Sequence, residues 1–514
     1  MQSEMYDVVI VGSGLGGLLC ANILSNEGYK VCVLEKNRQL GGSLQTFVRD
    51  RCIFDTGVHY VGGLEKGQAL HKIFTYLGFM DKLKLQALNK EGFDRTYFEG
   101  EEKYYVQSIG YDKFVKNLVA DFPNEEPAIR KYVETIQDIV KQFPMYNLEH
   151  GTSDFIADMP MLSINAAKFI NDLTDDIRLR AVLATPNVLY AGEEDKSPLY
   201  MHALVINTYI LSSHRFVDGS SQLERLISKN IRANESHIIN HAKVVKLQVE
   251  DERMTKAVLH DGREIFGKTF ISAIHPSPTL DMIDSTMIRK SYRNRIKSLE
   301  NTASCFILNL VFKKNTFPYK DHNVYHVSCY DVWGAIKYTE ENWPHSFAFY
   351  CCASSKSTEF AEGGIAIAYM RYDEMKQWEN TYNTASEEDD RGEDYKKFKA
   401  EKAEKLLDKM EKLFPDIRSQ LHSYYASTPL TYRDYIGTHD GSLYGILKDC
   451  NDPVKSFVAV KTKIPNLLMT GQNLHTHGVY GVAIAAIKTC NELLGQGYLI
   501  DKIKEANQNL EQEN

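Results

Sequence analysis

The sequence lacks several things whose absence narrows its function. No apolar run approaches the ~18 residues a membrane-crossing helix needs, because Gly, Asn or Lys breaks each one, so no transmembrane helix is expected. Basic residues are not in excess. Lys and Arg together number 60 against 68 Asp and Glu, a net charge of −8 that argues against a nucleic-acid-binding face. Cysteine is sparse: nine residues, an odd count, with no CxxC pair, which indicates neither a disulfide framework nor a zinc site. Reduced thiols in a cytoplasmic setting fit better, with peripheral contact to the inner face of a membrane as the other option. No basic stretch and apolar core precede the first strand, so no signal peptide is expected. There is no GxSxG elbow, and none of the 16 histidines pairs with Glu at helical ligand spacing, so no metal is expected. Internal repeats and low-complexity linkers are also missing.

What is present is a folded composition, 43% hydrophobic and 25% charged over 514 residues, enough for two or more domains with sizeable cores. It opens on "YDVVIVGSGLGGLLCANILSNEGYKVCVLEK", residues 6 to 36. A β-branched apolar run reads as a strand buried on both faces, followed by a glycine turn and a helix. Gly12 permits the tight turn, Gly14 lets the backbone approach a pyrophosphate, and Gly17 lets helix and strand pack closely. The helix N-terminus offers free N–H groups and a positive dipole end. Glu35 closes the second strand, eighteen residues beyond Gly17, where a carboxylate can accept hydrogen bonds from a ribose; Lys36 follows it. A lone GxGxxG is weak, but strand before, helix after and acid beyond make a dinucleotide site.

The choice of dinucleotide rests on residues 36–63 and on the far end of the chain. Instead of a further helix and strand, the chain reads "KNRQLGGSLQTFVRDRCIFDTGVHYVGG", in which Gly42, Ser43 and His59 lie in a glycine-rich excursion suited to a flavin approached by backbone. Far away, "IPNLLMTGQNLHTHGVYGVAIAAIKTCNELL" (464–494) reads as strand, glycine turn, loop and a helix of small residues starting near Gly481. That helix, which contains Val482, could aim its N-terminus at the pyrimidine end of a flavin. The two ends of the chain would then build one FAD site. A second GxGxxG is missing, so NAD(P)H or another electron donor is not indicated by a motif of its own.

These same segments resemble the flavoproteins that include phytoene desaturases, carotenoid isomerases and retinol saturases. The pieces "FVDGSSQL" (216–223), "ISAIHP" (271–276) and "DGSLYG" (440–445) fall in the same order, so the resemblance spans nearly the whole chain. "TGQN" is more similar to the retinol saturases than to the desaturases, which usually carry Gly-Asp there. The resemblance implies FAD, with Gly471 among the cofactor-binding residues, Gln472 or Asn473 replacing the usual Asp contact to the ribityl chain, and Val244 presenting backbone to the adenine. It also implies a retinoid- or carotenoid-like polyene substrate extracted by interfacial contact with a membrane.

The expected architecture is α/β: an FAD-binding, Rossmann-like, two-dinucleotide-binding domain assembled from separated segments, with an inserted α+β substrate domain. The FAD parts are placed at 1–75, 216–285 and 456–514, a helical substrate- or membrane-facing part at 76–215, and a substrate-domain sheet and helix at 286–455. Residues 237–274 are expected to form a β-meander, "CFILNLVFK", "SFAFYCC" and "IAIAYMRY" a second mixed sheet, and "EEDDRGEDYKK" an acidic loop leading into a charged helix. Saturating a C=C requires hydride on one carbon and a proton on its neighbour. His59, His475, His477 and Tyr480 are the proton-handling candidates, because their motifs should border the ring, and Tyr444 and Arg433 are placed on the substrate side. Three readings stay open: an FAD oxidoreductase of the CH–CH group acting on a polyene, an FAD amine oxidase, and a non-catalytic flavin-bound lipid carrier.

Overall fold

The computed structural model describes residues 4–149, 160–385 and 389–513. Glu387 and Glu388 of the expected acidic loop, and residues 150–159 of the expected helical part, lie outside them. The opening run does form a strand, Met5–Val11, whose Val8, Val9 and Ile10 are wholly buried. Burial on both faces is what a continuous β-branched run requires. The chain crosses through helix Leu15–Asn26 into strand Val31–Leu34, parallel to the first.

Around this unit lies a seven-stranded sheet drawn from separated segments. Strand Glu264–Ser272 pairs parallel with Met5–Val11 on one side and with Leu467–Met469, from the far end of the chain, on the other. Its first half also pairs antiparallel with Arg253–Leu259, which pairs with Val244–Glu250. The expected meander is therefore present from Val244 onward. Its expected first strand, His237–Ile239, instead joins the opposite edge, parallel to Val31–Leu34. Left-handed His241 (φ 51°) turns the chain between the two destinations.

The second seven-stranded sheet is mixed and contains the three apolar runs expected of it, at Ser304–Phe312, Ser346–Cys351 and Gly363–Met370. Period-two alternation splits its residues between two faces. Phe306, Leu308 and Leu310 pack with Leu406, Leu407 and Met410 of helix Gly392–Leu413, whereas Cys305, Ile307 and Val311 pack with Cys52 and Phe54 on the side of the first sheet. The segment 76–215 is less helical than its periodicity suggests. Helices Tyr111–Asp121, Glu126–Lys141, Ala166–Leu173, Ile177–Ala184 and Leu199–Leu211 are there, but so are strands Leu85–Ala87, Asp94–Phe98 and Tyr104–Gln107. Asp94–Phe98 and Tyr104–Gln107 complete the edge of the second sheet, where short aromatic-rich strands gain stability by pairing rather than by propensity. Among the described residues no helix is long and apolar enough to cross a membrane.

Candidate functional site

The glycine loop forms as its spacing demands. Gly12 takes φ +99°, a left-handed value that strains any side chain. A Cβ at Gly17 would sit 2.1 Å from the Gly12 carbonyl oxygen, so helix and strand touch there. A Cβ at Gly14 would meet nothing within 4 Å, leaving open space in front of the helix N-terminus. Glu35 lies beneath the turn. Its Oε2 accepts from the Ser13 amide (3.0 Å) and hydroxyl (2.6 Å), and its Oε1 accepts from the Asn37 amide (2.8 Å). The chain before Val244 runs alongside, with the Ala242 amide donating to the Glu35 carbonyl. Lys36 turns away: its Nζ donates to the Asp434 carbonyl at 2.9 Å, and burial lowers its pKa.

The two chain ends meet at this loop. A Cβ on Gly16 would lie 3.1 Å from Gly471 Cα and 3.3 Å from Val482 Cγ1, and one on Gly42 would lie 3.1 Å from Gly14 Cα. Helix Gly478–Leu494 begins one turn earlier than Gly481, because Gly478 adopts the left-handed φ of +73° that swings the chain into it. Gly481 is instead a packing position, where a Cβ would lie 2.4 Å from Thr476 Oγ1. Asn473 is occupied by its own loop, its Oδ1 accepting from the Ile446 amide at 3.0 Å, which leaves Gln472 as the amide at the turn without that tie. Buried Lys448 donates to the Ser456, Asn473 and Leu474 carbonyls, and burial lowers its pKa to about 7.

Two cavities adjoin these segments. They share Gly57, His59, Tyr350 and Tyr444. The first is walled by the second sheet, through Tyr325, Ala348, Ile367 and Tyr369, and reaches Ser43; the second is walled by helix Leu199–Leu211 and by Thr476–Tyr480. No Asp, Glu, Lys or Arg lines either cavity among the described residues. Their histidines are neutral, because burial lowers His59 and His326 to about 4 and His477 to about 3. Two buried ring nitrogens lining the second cavity, His59 Nδ1 and His477 Nε2, have no hydrogen-bond partner among the described residues. Buried polar atoms seldom stay unpaired, so each nitrogen is available to a polar group in the cavity.

The expected residues therefore separate into groups. Gly12, Gly14, Gly42, Gly471 and Val482 converge on one loop cluster, and His59, Ser43, His477, Tyr444 and Tyr480 border the cavities. Tyr480's hydroxyl, however, already donates to the Tyr146 carbonyl. His475 faces Lys488 at 3.0 Å rather than a cavity. Arg433 is also removed from the substrate side. It binds Asp434 and the Glu379 and Thr381 carbonyls, completing a buried cluster with Arg391. Tyr60 lies in the glycine-rich segment directly after His59, whereas Tyr325 and Tyr350 have no motif that singles them out. The only signal for these two is tyrosine in strands whose partners the sequence does not name.

Against this geometry the comparisons with known proteins are consistent. A family profile described as an NAD(P)-binding Rossmann-like domain matches residues 10–77. The all-trans-retinol 13,14-reductase of Macaca fascicularis is 25% identical over 535 residues, covering 97% of this chain and 87% of that protein. Over most of its length the chain is similar to retinol reductases and carotenoid isomerases. Prolycopene isomerase 1 of an Oncidium hybrid cultivar is 24% identical, covering 86% of this chain and 76% of its own. A solved putrescine oxidase bound to putrescine shares the fold, with a TM-score of 0.63 at 13% identity over 96% of this chain and all of the other. The expected fold class and the expected standing as an enzyme of this flavoprotein kind both agree with these relatives.

Proposed function

We propose that the chain is an FAD-dependent oxidoreductase of the CH–CH group that takes an apolar polyene, retinoid- or carotenoid-like, and works in the saturating or isomerising direction. The observation that carries this reading is the pair of uncharged, aromatic-walled cavities meeting at His59, against a dinucleotide loop completed by both chain ends. Gly12, Gly14, Gly17 and the helix N-terminus would hold the pyrophosphate, Glu35 the ribose, the backbone at Val244 the adenine, and Gly42, Ser43, Gly471, Gln472 and Val482 the flavin side. FAD, when bound, supplies hydride exchange with carbon. His59 and His477, neutral and each with an unpartnered nitrogen, orient a polar edge without adding charge. The apolar walls exclude water and suit a neutral substrate; a carboxylate would find no cation here. Exposed Ile164, Ile177 and Leu211, on the helical part, are suited to an interfacial membrane contact through which a lipid could be drawn.

The test is to photoreduce the FAD-loaded protein without oxygen and add all-trans polyenes. Reoxidation of the flavin together with loss of one conjugated double bond is the expected result. Peroxide release on amines, with no response to polyenes, would favour the amine oxidase reading, which the putrescine oxidase likeness keeps in view. A lipid that co-purifies but never exchanges electrons would mark a carrier.

A further inference from the structure

From the walls of the two cavities, where Tyr350, Tyr325 and Tyr60 lie, a chain of hydroxyls leads to Asp94, and the proposed function gives it no task. Tyr350 stacks on His59, with ring centroids 5.0 Å apart and planes 13° apart, and lines both cavities. Its hydroxyl is 3.3 Å from that of Tyr325, which is 2.9 Å from that of Tyr60. The Tyr60 hydroxyl in turn lies 3.0 Å from Asp94 Oδ2, while Asp94 Oδ1 accepts from Asn323 Nδ2 at 2.8 Å. All five side chains are buried. A sheet that needed only to satisfy its polar groups would not require a carboxyl at one end of such a row and a cavity at the other, since burying a carboxyl is costly.

We propose that Asp94, Tyr60, Tyr325 and Tyr350 form a proton relay serving the cavities, with Asp94 as the reservoir and Tyr350 as the group that meets the substrate. The proposal rests on the CH–CH oxidoreductase reading. Each phenol carries one proton and can accept another, so Asp94 sets the direction of the whole row. With Asp94 ionised, Tyr60 donates to Oδ2, Tyr325 to Tyr60 and Tyr350 to Tyr325, and no proton faces the cavity. With Asp94 protonated, every bond reverses and Tyr350 presents its proton to the cavity. Saturation consumes that proton. One carbon of the C=C gains a hydride from the reduced flavin, and the π pair forms a bond from the neighbouring carbon to the Tyr350 proton. The substrate thus gains two electrons and two hydrogens, and the flavin loses two electrons. Tyr350 recovers its proton through Tyr325 and Tyr60 from Asp94, which is recharged from solvent.

Burial raises the Asp94 pKa to about 7, which suits a group that stores and releases a proton at neutral pH. The groups facing it are Tyr60, Asn323, Tyr209 from helix Leu199–Leu211, and Arg215 from strand Ser213–Phe216. Arg215 acts across Asn323, donating to its Oδ1 at 2.7 Å, and pulls the Asp94 pKa down against burial.

The experiment uses Asp94→Asn, which keeps the shape and the Asn323 contact, and Tyr325→Phe, which cuts the row in its middle. In infrared difference spectra of the purified protein, a carboxyl band should titrate near pH 7, vanish in Asp94→Asn and shift in Tyr325→Phe. Polyene saturation should fall by about 100-fold or more in both variants with KM little changed, the usual scale for losing a proton donor. The fall in rate above neutral pH should flatten in Asp94→Asn. A wild-type pH profile in Asp94→Asn, or wild-type turnover in Tyr325→Phe, overturns the relay. A wild-type protein that never reduces a polyene sinks the functional reading instead, and an absent or unshifted carboxyl band then overturns the relay independently.

Discussion

The two seven-stranded sheets do their work by different means. The first acts through backbone: glycines at Gly12, Gly14 and Gly17 open the turn, bare the helix end and let helix meet strand. The second acts through side chains. Its strands bring Tyr325, Ile367, Tyr369 and Tyr350 to one wall, and its opposite face is given to a helix. Backbone function leaves a signature in residue spacing, because only glycine does the job. Side-chain function arises from which strands become neighbours, and that is settled by the whole fold.

The sharpest way to break this comparison is to damage each sheet separately. Phe306 is wholly buried on the helix-facing side of the second sheet, edge-on to Trp343 at 5.6 Å. Phe306→Ala should destabilise the protein by about 3–5 kcal/mol in urea unfolding while leaving FAD affinity intact in whatever fraction stays folded. Equal loss of FAD affinity would show that the sheets are one energetic unit.

Within the first sheet, neighbouring glycines should give opposite results. Gly17→Ala forces a methyl onto the Gly12 carbonyl at 2.1 Å and should cost about 1–3 kcal/mol of stability, with cofactor affinity falling alongside. At Gly14 a Cβ meets nothing within 4 Å, so Gly14→Val should change unfolding by less than about 0.5 kcal/mol while FAD binding drops more than tenfold. Calorimetry and flavin titration of the two variants distinguish them. A Gly14→Val protein with full FAD occupancy would remove this loop from the site.

A smaller effect tests the wall between the sheets. Burial depresses His59 to about 4 in the folded protein, below the ordinary 6.5 of the unfolded chain. The unfolded state therefore binds the proton first. The stabilisation is present above pH 6.5 and is lost as pH falls towards 4. Between neutrality and mild acid the loss from this one group should be about 1–2 kcal/mol, and His59→Gln should flatten that part of the melting-temperature profile. An unchanged acid limb would mean His59 is protonated or solvated in the fold.

The same contrast explains what the sequence made legible. The turn, helix and strand around Gly12, the pairing of chain ends through Gly471 and the three apolar strands of the second sheet all follow from local pattern. Residues 76–215 read as helical because amphipathic helices such as Glu126–Lys141 dominate the periodicity, while Asp94–Phe98 is only five residues long and finds its partners at Asn323–Val327. Arg433 looks like a substrate-side cation in the sequence because, beyond the adjacent Asp434, nothing local reveals that the Glu379 and Thr381 carbonyls claim it. Asp94 is inconspicuous there because its only marks are burial and a tyrosine thirty-four residues away.

Strand Leu467–Met469 and the Gly471 turn, which close the dinucleotide loop, also set a schedule for making the protein. A nascent chain that has made its first strand must wait for 467 before that strand's sheet is complete. At ordinary synthesis rates of about 5–20 residues per second, the interval is roughly 20–90 s. Throughout it the glycine loop is half built, and once Glu264–Ser272 has been made its edge waits for the same partner. Under the proposed function, the flavin is captured only after that strand has been made, and a chain cut short before it lacks the completed site.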